Sequence, residues 1–436
     1  MVSILLKDCS WILTMNPPDK VLKNVSIYIE DSFIVEIGPA KPEAEYVIDC
    51  RGCAVMPGLV NLHTHAAMSL LRGYADDMPL DVWLKEKIWP IEEKMRAEDV
   101  YIGSLLSCVE MVKAGITCFV DMYWFSEEVC KAASKVGIRA LVTCGTLDLG
   151  QPERAEKEIE RVKKFLEFVK GLKDPKIKAG IGPHAPYTCS KDFLEKLRSI
   201  AEKEKVPIHI HVAETQEEQT KFEKEQGMRE VEYLEKLGLL GPDVIMAHCI
   251  WLSKEELDIM AKYGVKVAHC PIANMKIGQG GVAPIPEMLR KGIKVGLGTD
   301  GPASNNDLDL LETMKFAALL HKLHLRNPAI MRAQDVLVMA TRNGYEAVGF
   351  EGVKGVVEEG VKADIIVIDM RKARFTPVHE VSTVLSHLVY VAKGNDVRDV
   401  IVDGKVVVKD GKVVTVNEED VLNLAQKTAL DLVTRR

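Results

Sequence analysis

The sequence predicts an α/β fold: a (β/α)8 TIM-type barrel with a small discontinuous β-sandwich domain built from both chain ends. Three observations carry this reading. Short apolar runs rich in β-branched residues alternate with amphipathic segments through the middle of the chain. Several of those runs end in histidine or aspartate, and both chain ends break into short, hairpin-like strands.

Strand-like runs occupy Ala54–Leu62, Ile116–Asp121, Ile138–Cys144, Lys176–Gly182, Val206–Val212, Val244–His248, Val265–Cys270 and Ile293–Thr299. Between them, Glu153–Gly171, Lys191–Lys205 and Lys254–Tyr263 carry apolar residues at spacings of three and four, which gives a helix one face to bury. Eight such strands alternating with helices close into a parallel barrel whose reactive groups sit at the C-terminal strand ends. Asn306–Leu325 and Ala333–Gly349 read as further helices. At the ends, Ser3–Met15, Val25–Glu30, Ile34–Gly38, Val400–Val402 and Lys405–Val408 read as strands, and Asp403-Gly404 and Asp410-Gly411 are hairpin turns. Glu418–Arg436 reads as a closing helix. The expected division is 1–53 and 362–436 for the two parts of the sandwich, and 54–361 for the barrel.

An apolar fraction of 47% supplies a sizeable core, and 28% charged residues is ordinary for a soluble protein. The net charge of −7 gives no reason to expect nucleic acid or an anionic membrane as partner. Lys7 and Asp8 interrupt the N-terminal segment where a signal peptide needs an apolar run, and the charge-free stretch Gly52–Leu71 contains Pro57, Asn61, His63 and His65. The ten cysteines show no extracellular spacing, so a reducing cytoplasm is expected. Cys50-Arg51-Gly52-Cys53 lacks the second pair or surrounding pattern of a metal or redox motif. Composition leaves the oligomeric state open.

The chemistry concentrates at strand ends. His63 and His65 are two residues apart on an extended run, so both imidazoles face one side. His211 ends a later run, with Glu214 three residues beyond; His248 and Asp300 end two more. Imidazole and carboxylate are metal-binding groups, and one such residue at each of several strand ends points them all into one barrel mouth.

These residues carry a family. Met56-Pro57-Gly58-Leu59-Val60-Asn61-Leu62-His63-Thr64-His65 and Gly360-Val361-Lys362-Ala363-Asp364-Ile365-Ile366-Val367 resemble the amidohydrolase superfamily over nearly the whole length. Within it, Met68-Ser69-Leu70-Leu71-Arg72-Gly73, Trp89-Pro90-Ile91-Glu92, Gly182-Pro183-His184-Ala185-Pro186-Tyr187 and His211-Val212-Ala213-Glu214-Thr215 resemble the 5′-methylthioadenosine/S-adenosylhomocysteine deaminases. The chain departs from that pattern at Ala273-Asn274, where relatives often carry Ser-Asn.

The resemblance implies His63, His65, His211 and Asp300 as ligands of one metal ion per chain. Three imidazoles and a carboxylate suit Zn²⁺, and Fe²⁺ also fits. It implies deamination of adenine nucleosides to inosine analogues and ammonia, with Glu214 as proton shuttle, Asp300 orienting the attacking water and His248 stabilising the attacking oxygen. Glu92 is expected to accept the ribose hydroxyls and His184 to contact base or ribose. Arg154 reads either as a contact to a 5′ substituent or as a solvated helix start, and Trp83 as a stacking or a core aromatic. Guanine, cytosine or triazine rings are the competing substrates on the same fold. A non-catalytic assembly protein would be expected to have lost ligands that are all present here.

Other matches are set aside. His209 shares its strand face with His211 one layer deeper and reads as a packed barrel histidine, with His269 behind the site. Gly296-Leu297-Gly298-Thr299-Asp300-Gly301 matches a dinucleotide-binding pattern, but it falls late in the barrel and Asp300 is better explained as a ligand. The His-x-Glu and Pro-Cys-x-x-Cys motifs of the other zinc deaminases do not occur.

Overall fold

The computed structural model describes residues 3–39, 43–78 and 82–435. Eight parallel strands form the barrel: β1 (Leu59–Thr64), β2 (Ile116–Tyr123), β3 (Arg139–Thr146), β4 (Ile177–Pro183), β5 (Ile208–Val212), β6 (Val244–His248), β7 (Lys266–His269) and β8 (Lys294–Leu297). From β2 onward each agrees with the sequence expectation to within two residues at either end. Closure lies between β8 and β1. The amide of Thr299 donates to Asn61 Oδ1 at 3.0 Å, Asn61 Nδ2 to Thr299 Oγ1 at 2.7 Å, and the amide of Asp300 to the His63 carbonyl at 2.9 Å.

The first expected strand is two. Cys53–Pro57 pairs with Ile365–Asp369 and Trp11–Leu13 outside the barrel, and the barrel strand begins only at Leu59. The break is at Gly58, whose backbone passes so close to β2 that an added Cβ would lie 1.9 Å from Thr117 Oγ1. Hydrophobicity runs unbroken across this point because both strands are buried, so pattern alone could not separate them.

Both chain ends build the flanking sheets, as expected. One orders Phe33–Gly38, Val25–Glu30, Ser3–Cys9 and Tyr46–Asp49. The other, seven-stranded, runs from Lys412–Val413 through Lys405–Lys409, Val397–Val402, Ile365–Asp369, Cys53–Pro57 and Trp11–Leu13 to Val21–Leu22. Ile4, Leu6, Ile27 and Ile29 pack with Val55, Ile365, Val367 and Ile401 between the sheets. A fully buried guanidinium ties this layer to the barrel: Arg139 on β3 donates to Asp364 at 2.6 and 3.0 Å and to Asp403 at 2.7 Å.

The expected helix over 333–349 is also divided, into Ala333–Ala340 and Arg342–Val348. Thr341 adopts φ −123°, ψ −93°, and its hydroxyl bonds back to the Leu337 carbonyl at 2.6 Å. The second piece turns Gly344 onto β1, where a Cβ would stand 2.5 Å from Val60 Cβ. Glu418–Thr434 packs on helix Ala97–Lys113, held by Arg435–Asp99 and Lys113–Glu418 ion pairs. Among the described residues, no helix is long and apolar enough to cross a membrane.

Candidate metal centre and active site

Strands β5, β6 and the segment after β8 turn sharply as they leave the barrel. Ala213, His248 and Asp300 have φ of 51°, 69° and 64°. Left-handed backbone at residues other than glycine is strained, and it clusters where a site must be held in one arrangement. Here it brings Glu214, His248 and Asp300 to the same mouth.

His63, His65, His211 and Asp300 converge there. The His63 ring centroid lies 4.9 Å from those of both His65 and His211, and Asp300 Oδ1 is 3.4 Å from Nε2 of His63 and of His65. The tautomers follow from the outer hydrogen bonds. His65 Nδ1 donates to the Met122 carbonyl at 2.7 Å and His211 Nδ1 to the His184 carbonyl at 2.6 Å. His209 Nδ1 lies 3.1 Å from the Ile245 carbonyl, so it holds the proton and its Nε2 accepts from His63 Nδ1 at 2.7 Å. All three rings thus turn a bare Nε2 lone pair toward the centre. Burial holds His63 neutral, its pKa lowered to about 3, and pulls His211 well below the usual range.

His63 Nε2 is buried and has no hydrogen-bond partner. An orphaned polar atom of this kind costs about 1–3 kcal/mol unless something binds it. The donors around it fit a divalent metal ion, with His65 and His211 oriented by carbonyls and His63 by His209, as metal-binding histidines are held. Both Asp300 oxygens are fixed, Oδ1 by the Gly301 amide at 2.7 Å and Oδ2 by the Ser304 hydroxyl at 2.8 Å. His209, set aside in the sequence, emerges as the group that fixes the tautomer of His63.

Glu214 and His248 stand together beside this centre, Oε1 to Nε2, at 3.8 Å. Burial raises the Glu214 carboxyl, and Gln279 Nε2 holds its Oε1 at 2.5 Å. His248 Nδ1 lies 2.9 Å from Asn274 Oδ1. In this arrangement His248 donates a hydrogen bond from Nδ1 to Asn274; Nε2 can donate when Asn274 turns its amide nitrogen inward. With His63 and His211, His248 also forms a second three-nitrogen group within metal-binding reach.

The centre opens into a cavity of about 870 Å³. Its wall includes Glu92, His184, Met122, Tyr123, Trp124, Tyr187 and Trp251. Glu92 ends the short helix Trp89–Glu92, accepts from Tyr123 O–H at 2.6 Å and has its carboxyl raised by burial. His184 follows β4, and burial lowers its pKa to about 4. Trp83 is buried, donates to the Ala75 carbonyl at 2.8 Å and reaches the cavity wall. Arg154 is not among the lining residues; its Nε holds the Leu147 carbonyl at 3.0 Å, and Leu147 lines the cavity in its place.

Sequence reasoning missed Tyr123, Gln279, Asn274 and Ser304, which fix Glu92, Glu214, His248 and Asp300. Gln279 sits in Gly278-Gln279-Gly280-Gly281, where clustered glycines mark a loop at the barrel mouth and offered the one usable signal. Tyr123 and Asn274 reach partners well apart in the sequence, and Ser304 reaches Asp300 from four residues on within an irregular loop, so none of the three leaves a periodic pattern.

Residues 54–407 match the amidohydrolase family. The chain belongs to that family. A 5′-deoxyadenosine deaminase of Methanosarcina barkeri is 48% identical over 436 residues, covering 100% of this chain and 99% of the relative. A 5-methylthioadenosine/S-adenosylhomocysteine deaminase of Pelotomaculum thermopropionicum is 43% identical, covering 100% of each chain. Among solved structures, an adenosine deaminase from Xanthomonas campestris with bound zinc superposes with a TM-score of 0.94 at 31% identity, covering 99% of both chains.

Proposed function

We propose that this amidohydrolase is a zinc-dependent deaminase of 5′-modified adenosines, with 5′-deoxyadenosine, 5′-methylthioadenosine and S-adenosylhomocysteine as the substrate set. The observation that carries the reading is the grouping of His63, His65 and the Asp300 carboxylate within metal-binding reach, with His211 packed against His63 and Glu214 beside them on the wall of the cavity. Likeness to two kinds of adenine-nucleoside deaminase supports the choice of ring.

Zinc held by His63, His65, His211 and Asp300 would supply a nucleophile at neutral pH by bringing the pKa of water from 15.7 to about 7. Glu214 accepts the proton released and delivers it to the ring nitrogen next to the carbon under attack. Asp300 fixes the direction of approach. With Asn274 turned so that its amide nitrogen donates to Nδ1, His248 carries its proton on Nε2 and would bond the attacking oxygen as charge builds. Glu92, with one oxygen engaged by Tyr123, offers the other to the ribose diol, and His184 meets the nucleoside from the β4 side. The wall beside Leu147, braced by Arg154, accommodates the 5′ group. A cytoplasmic setting agrees with ten buried, unpaired cysteines, and the substrate is a small molecule, not nucleic acid.

A deamination screen tests this reading. Methylthioadenosine, adenosylhomocysteine, 5′-deoxyadenosine and adenosine should react, and guanine, cytosine and a chlorotriazine should not. Preference for any of the latter three would replace the substrate assignment.

A further inference from the structure

Behind Glu214 lies a buried acidic pair that the chemistry above leaves unused. Glu230 opens the helix Glu230–Lys236 and is fully buried, and its Oε2 accepts the Ala213 amide at 2.7 Å. Ala213 is the left-handed residue that links the His211 strand to Glu214. Its carbonyl is held as well, by the amides of Ile250 and Trp251 at 2.9 and 3.0 Å. An alanine in this conformation is disfavoured by about 1–2 kcal/mol, so the turn persists only while its polar groups are fixed.

The far oxygen of Glu230 meets Glu218. Glu218 Oε1 and Glu230 Oε1 are both buried with no hydrogen-bond partner, and the two carboxyls interact with each other. Two ionised carboxylates cannot share such a contact, whereas one proton between them satisfies both oxygens. Burial raises both carboxyls, Glu230 to about 7. The nearby Glu256 is neutralised separately by Arg229 at 2.7 Å. Glu218 caps its own helix through Thr215, the residue after Glu214, so the pair grips the Glu214 turn from both sides.

We infer that Glu230, bridged to Glu218, is a positioning residue that locks the Ala213 turn and so aims the Glu214 carboxylate. This rests on the reading of Glu214 as proton carrier. Glutamine at 230 can accept the same amide through oxygen and donate to Glu218 through nitrogen, without a shared proton. Alanine can do neither, and aspartate is too short to span both.

The test compares Glu230→Gln, Glu230→Ala, Glu230→Asp and Glu214→Gln in the zinc-loaded enzyme. Glu230→Ala should lower kcat about tenfold or more, with KM within about twofold and metal content unchanged; Glu230→Gln should stay within about threefold of wild type. Should Glu230→Ala fail to fold, Glu230→Asp carries the question, with the same loss in kcat expected. Wild-type kcat in Glu230→Ala or Glu230→Asp overturns the inference, as does glutamine proving as damaging as alanine, or a loss confined to KM or metal content. Turnover retained in Glu214→Gln would instead overturn the role of Glu214 itself.

Discussion

Asp300 and His63 meet twice. The Asp300 amide donates to the His63 carbonyl at 2.9 Å, and its carboxylate stands 3.4 Å from His63 Nε2. The hydrogen bond that helps close the barrel between its last and first strands therefore also places two of the candidate metal donors.

One ion per chain is the expected stoichiometry. Asp300 Oδ1 lies between two imidazole nitrogens, and the β4 end carries His184 where a second, bridged ion would call for an anionic ligand. Elemental analysis of purified protein should find about one divalent ion per chain. Two tightly held ions, both needed for turnover, would contradict this.

Glu214→Gln should keep the metal and lose turnover by roughly 10²–10⁴-fold, since an amide carries no proton. The Gln279 contact at 2.5 Å survives the change, so the variant should fold and bind substrate normally. Pre-steady-state and steady-state rates would both have to fall.

Glu92→Ala should weaken nucleoside turnover without affecting metal content. Each ribose hydroxyl left without its partner costs about 1–3 kcal/mol, so kcat/KM should drop about tenfold or more. A 2′,3′-dideoxy substrate should be poor with wild type and little worse with the variant. Turnover of free adenine as fast as of the nucleosides would remove ribose recognition from the account.

Stability should fall as pH rises through the window from about 4.5 to about 7. Over that range the folded chain holds a proton at Glu230 that the unfolded chain has released, so alkaline pH favours unfolding. The charged neighbours are Glu218, Glu214 and Glu256 with its Arg229. Glu230→Gln removes the titration. Thermal melts at about pH 5 and about pH 8 should differ less in the variant than in wild type. An unchanged difference would mean that Glu230 ionises normally.

The barrel and the candidate metal donors were legible in the sequence because both are local signals. A strand end followed by a helix can be read from a few residues, and so can His63-Thr64-His65. Where the structure adds to that reading, the cause is contact between distant segments. The strand break at Gly58 answers to Thr117, the helix break at Thr341 to the seating of Gly344 on Val60, and the tautomer of His63 to Ile245 through His209. Tyr123, Asn274 and Glu230 act across similar gaps and leave no periodicity behind.

Hydrolytic deamination by this chain should depend on a metal held by His63, His65, His211 and Asp300. The most direct measurement follows conversion of 5′-deoxyadenosine in the native, chelator-stripped and zinc-restored enzyme, quantifying the inosine analogue and ammonia together. Equal amounts of both products are expected from the native enzyme, none after stripping, and recovery with zinc. Full turnover by the stripped protein, or product without ammonia, would contradict it.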